Sequence, residues 1–113
     1  MRKPTNPDLH KPMDLTVDGR EAYKAIIAFL EERDMMFTGG CKTFYSPAAW
    51  KMRGESYGEG SVLIVVHDGG DLSYVFNTDH GFYDLNNAMT KKLEETGFYA
   101  EPMTCWATAI YKA

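Results

Sequence analysis

Apolar positions along this chain fall into two helical stripes and at least two alternating runs. Tyr23, Ile26, Ile27 and Leu30 recur at i, i+3, i+4 and i+7, which makes one buried face. Asp18 and Glu21 have the spacing of a capping box, and Arg33 suits the negative end of a helix dipole. This pattern predicts a helix over about 19–34. Phe82, Leu85, Met89 and Leu93 form the second stripe, and Gly97 supplies a left-handed residue just past its end. The predicted helix runs over about 82–96.

The strongest strand signal is Val62-Leu63-Ile64-Val65-Val66. Asp68-Gly69-Gly70-Asp71 follows it, and paired glycines supply the positive φ angles of a tight hairpin turn. A central β-hairpin over 62–77 is therefore expected. In that register His67, Val65 and Leu63 oppose Leu72, Tyr74 and Phe76 on one apolar face, leaving Ile64, Val66 and Val75 on the other. Strand pairing is also expected around Met35–Thr38 and Cys41–Tyr45, across the Gly39-Gly40 break. Ser46-Pro47 opens a short helix through Arg53. A closing strand is expected over about 104–112, with Cys105, Ala107, Ala109 and Tyr111 on a face small enough for a helix to pack against.

These elements describe an α+β two-layer sandwich: about four strands, mixed or antiparallel, with the two main helices on one face. Residues 1–15, with Pro4, Pro7 and Pro12, read as a flexible N-terminal arm, and 16–113 as a single domain. The second sheet face would then carry Ile64, Val66, Val75, Trp106 and Ile110. That is more apolar surface than a sheet leaves wet, so it is either covered by the arm and the glycine-rich loop 54–60, or it is an interface.

Composition narrows the function classes. With 113 residues and 44% hydrophobic content, the chain can build a core without a metal or disulfide staple. No apolar run is long enough for a membrane span, and no apolar segment follows the basic N-terminus as in a secretory signal. Cys41 and Cys105 read as thiols of a cytoplasmic protein. A net charge of −4 without a basic stripe disfavours nucleic acid as a partner.

Candidate chemistry is sparse. Cys41 with His67 or His80 is the one conceivable nucleophile–base set, and no hydrolase signature surrounds it. Cys41, His67, His80 and Cys105 lack the close ligand pairs of a zinc site. Asp68, Asp71, Asp79 and Asp84 are ordinary turn and helix-start residues. Tyr45, Trp50, Lys51, Arg53 and Tyr57 combine aromatic and basic character in the way of a binding hot spot.

No catalytic, metal or cofactor site is assigned. The sequence supports a non-catalytic protein-interaction module, an inhibitor or adaptor of the kind a phage or mobile element encodes, self-associating as a homo-oligomer. Its candidate contacts are Tyr45, Trp50, Lys51, Arg53, Tyr57, Ile64, Val66 and Val75. A small cysteine-dependent enzyme and a nucleic-acid-associated protein are the alternatives.

Overall fold

The computed structural model describes residues 9–36, 42–55, 60–77, 81–104 and 106–113. In chain order the elements are α1 (Val17–Glu32), β1 (Phe44–Tyr45), α2 (Pro47–Met52), β2 (Leu63–Val66), α3 (Gly70–Phe76), α4 (Tyr83–Glu95), β3 (Phe98–Thr104) and β4 (Ala107–Lys112). The strands form one four-stranded antiparallel sheet in the order β1-β2-β4-β3. The α+β sandwich expected from the pattern is the fold observed, with both main helices on one face.

The central hairpin is not. β2 stands where the first arm was expected, but both of its edges are occupied, by β1 (Phe44↔Val65) and by β4 (Leu63↔Ile110). No edge remains for a second arm, and residues 70–76 coil into α3 instead. Gly69 (φ 107°) and Gly70 (φ 66°) start that helix rather than a hairpin turn. Leu72, Val75 and Phe76 fit i, i+3, i+4 as well as Leu72, Tyr74 and Phe76 fit alternation, so the pattern alone did not decide. As a helix, α3 buries Leu72, Val75 and Phe76 and leaves Tyr74 41% exposed. Val75 therefore belongs to the main core, and not to the second sheet face.

β4 also presents the opposite faces from those expected. Pairing Leu63 with Ile110 sends Ile110 into the main core, while Ala107 and Ala109 join Ile64 and Val66 on the far face. The main core lies between the sheet and α1, α3 and α4, with Phe29, Leu30, Leu63, Val65, Met89 and Leu93 among its buried members. Phe82, counted in the α4 stripe, stays 48% exposed. α4 ends as its sequence indicates, with Gly97 at φ 93°.

The N-cap of α1 is Thr16, whose hydroxyl accepts from the Gly19 amide at 3.1 Å; Asp18 instead sits in the first turn and pairs with Lys112 at 2.9 Å. α2 is capped as expected by Ser46, which accepts from the Ala49 amide at 3.1 Å. The same hydroxyl donates to Asp14 at 2.7 Å. That bond is one of several anchors in the described part of the N-terminal segment. Leu9 is fully buried in the main core, Leu15 nearly so, and Tyr23 Oη donates to the Leu9 carbonyl at 2.6 Å. Burial raises the Tyr23 pKa, with Glu31 adding to the shift, so the phenol keeps the proton this bond uses.

Two substitutions test these contacts. Leu9→Ala is expected to lower the unfolding free energy by about 2–4 kcal/mol in urea titration, the cost of a buried cavity; a loosely attached segment would lose almost nothing. A Cβ at Gly19 would lie 2.6 Å from the Val62 carbonyl oxygen, a backbone atom with little room to move. Gly19→Ala should therefore destabilise by roughly 1–3 kcal/mol, although alanine favours helix by up to about 1 kcal/mol.

Candidate functional site

Alternation puts Tyr45, Ile64, Val66, Ala107, Ala109 and Tyr111 on the sheet face away from α1 and α4. Ile64 and Ala109 are fully buried there, as is Ala107, with Val66 at 6% exposure. Their cover comes from α2 and the chain's own aromatics. The short helix lays Trp50 (3% exposed) against this face, where the two alanines of β4 leave room for an indole. The described N-terminal residues Leu9 and Leu15 sit in the main core and do not provide that cover.

Tyr45, Trp50 and Trp106 form a connected run of rings, and Tyr99 and Tyr111 form a separate pair. Tyr45 meets Trp50 edge-on at 5.4 Å between centroids, and Trp50 meets Trp106 at 5.9 Å. Two cations stack on the β1 end. Lys42 Nζ lies 4.6 Å from the Tyr45 centroid, and Arg53 Cζ lies 4.9 Å from the rings of both Tyr45 and Trp50. At the β3 end Tyr99 stacks on Tyr111 at 5.3 Å, and Glu101 shares their face because it pairs with Ala109. Burial raises the Tyr111 pKa, with Glu101 and Tyr99 adding to the shift, so the phenol is neutral at physiological pH. Met103 packs at the same margin.

Of the residues singled out by sequence, the fold brings together Tyr45, Trp50 and Arg53, with Lys51 exposed on the same short helix. Ile64 and Val66 lie beneath that layer, too deep to touch a partner, and Val75 is in the other core. Tyr57 lies outside the described residues. Sequence reasoning missed Lys42, Tyr99, Glu101 and Tyr111 as members of this surface. Tyr111 was legible as an alternating position, but β3 was not, because Glu101-Pro102 interrupts any apolar run.

The catalytic alternative gains no geometry. Cys41, His80 and Cys105 lie outside the described residues, which leaves His67 as the described member of the set. His67 is 1% exposed, stacks on Phe76 at 5.3 Å, and has Nε2 2.9 Å from the Thr108 hydroxyl. Its Nδ1 has no hydrogen bond of good geometry among the described residues. Burial pushes its pKa down to about 4, opposed only in part by its own backbone. The ring is therefore neutral near pH 7 and closed off from solvent. Asp71 and Asp84 lie in the first turns of α3 and α4, where carboxylates suit the helix dipole. Among the described residues, no group of three or more His, Cys, Asp or Glu side chains is arranged to hold a metal.

A second aromatic group lies at the α3–α4 junction, where Tyr74 meets Phe82 at 5.1 Å beside the exposed Tyr83. It adjoins residues 78–80, outside the described set. No helix among the described residues is long and apolar enough to cross a membrane.

His67 makes a pH prediction. Its folded pKa lies below the ordinary 6.5, so the unfolded chain binds the extra proton between pH 6.5 and about 4. Stability is complete above that window and falls as pH drops through it, by on the order of 3 kcal/mol in total. His67→Gln should flatten the wild-type loss between pH 7 and pH 5 in urea titrations; an unchanged slope would show that the ring is not the titrating group. Compared with protein-family models, curated proteins and solved structures, the chain finds no match in any of the three.

Proposed function

We propose that this protein is a non-catalytic interaction module that binds protein through the aromatic layer on its second sheet face, and that it self-associates there. One observation carries the reading. Tyr45, Trp106, Tyr111 and Tyr99 are each partly exposed, yet each is held by a neighbouring ring or by the alanine-floored sheet beneath. Rings fixed in this way lose little conformational freedom on docking, and aromatic and arginine residues dominate interface energetics. A cytoplasmic inhibitor or adaptor is the role that suits such a surface on a chain of this size.

The same rings with Lys42, Lys51 and Arg53 favour a second reading, stacking of single-stranded nucleic acid. Glu101 on the platform and the net charge of −4 oppose it.

Sedimentation velocity from about 1 to about 500 µM spans the range expected of a small interface. Wild-type protein should show a concentration-dependent dimer. Trp106→Ser and Tyr99→Ser should shift it to monomer while leaving far-UV circular dichroism unchanged. A chain that stays monomeric throughout removes self-association; tight, salt-sensitive binding of a polypyrimidine oligonucleotide would favour the second reading.

A further inference from the structure

The charges on the aromatic face are divided between its two ends. Lys42 and Arg53 lie at the β1–α2 end, both stacked on Tyr45, and Lys51 is exposed on α2 beside them in sequence. Of the carboxylates at this end, Asp14 accepts from the Ser46 hydroxyl, and Glu55 follows α2. The β3 end carries Glu101 beside the stacked Tyr99–Tyr111 pair. Between them lie the uncharged Trp50, Ala107 and Ala109. Three strand spacings, about 14 Å, separate the outer strands, so the ends are distinct on the scale of the Debye length.

Such a surface complements itself in one orientation only. Two copies meeting face to face are related by a two-fold axis lying in the plane of contact. If that axis runs across the strands, β1 of one copy lies over β1 of the other and the cations oppose each other. If it runs along the strands, between β2 and β4, β1 of one copy lies over β3 of the other. Each cationic end then meets Glu101 and the π faces of Tyr99 and Tyr111, both of which attract guanidinium and ammonium groups.

We infer that the occupant of this face is a second copy of the chain, docked about a two-fold axis parallel to the strands, with Arg53 of each protomer against Glu101 and the Tyr99–Tyr111 pair of the other. The inference rests on the interaction reading above and deepens it by naming the partner and the register. A face this narrow sits at the small end of specific interfaces, where weak and transient complexes are found.

Charge exchange tests the register. Both side chains are exposed, so Arg53→Glu and Glu101→Lys leave the core untouched. Each variant alone places like charges together at both ends of the interface and should weaken its homodimer about tenfold or more in sedimentation equilibrium. Mixed in equal amounts, the two variants place opposite charges at both ends and should form a heterodimer near wild-type affinity. The double variant should homodimerise again. The mixing arm separates charge pairing from any disturbance of the Tyr45–Trp50 stack, because a damaged stack would not be rescued by its partner. Two singles that dimerise like the wild type, or a mixture that stays monomeric, would overturn the register while leaving self-association in place. A wild-type monomer would overturn both.

Discussion

Everything in this fold is arranged around β2, whose four residues are buried on both faces and paired on both edges. Leu63 and Val65 enter the main core, while Ile64 and Val66 enter the smaller one beneath Trp50. A strand closed on all sides imposes its pairing on the rest of the chain. β4 must take its inner edge, although the turn after β2 invites a hairpin. Residues 70–76 must then find another structure, and a seven-residue helix satisfies their backbone while keeping Leu72, Val75 and Phe76 inside. Asn86 of α4 donates to the Val75 carbonyl at 3.0 Å, which occupies an acceptor at the open end of that helix.

What was legible in sequence was local. α1 and α4 announce themselves by helical spacing, α2 by Ser46-Pro47, and β2 by an unbroken β-branched run. What was not legible depended on residues far apart. Leu72 to Phe76 suit either period, and the choice is made by Ile110 pairing with Leu63. The β4 faces were inverted because both alternating sets are compatible with burial; the alanines do permit close packing, but of Trp50 and not of a main helix. Leu9 was hidden by its proline-rich surroundings, since a single buried leucine has no periodicity to reveal it. The site was half readable for the same reason. Tyr45, Trp50 and Arg53 are close in sequence, whereas Tyr99 and Glu101 reach their surface only through the β3–β4 register.

The second core is small, and that gives it its functional interest. α2 has six residues and covers the β2 side with one indole. The rest of the covering is done by rings that are themselves partly wet, because no further helix is packed over them among the described residues. His67 sits at the end of β2, where its amide donates to the Trp106 carbonyl at 2.8 Å. It thereby ties the strand that organises the fold to the turn that presents Trp106. The sealed, neutral imidazole belongs to that scaffold, and the chemistry exposed on the second sheet face is, among the described residues, aromatic and ionic.

On the proposed reading, the aromatic sheet face is where this chain meets protein, and first its own copy. Isotope-filtered NOE spectroscopy on a mixture of labelled and unlabelled chains reads this directly. Intermolecular contacts are expected between the Tyr45 ring of one chain and the Tyr99 and Tyr111 rings of another, at concentrations where the dimer is populated. Intermolecular contacts confined to Tyr74, Phe82 and Tyr83 on the helical side would contradict it.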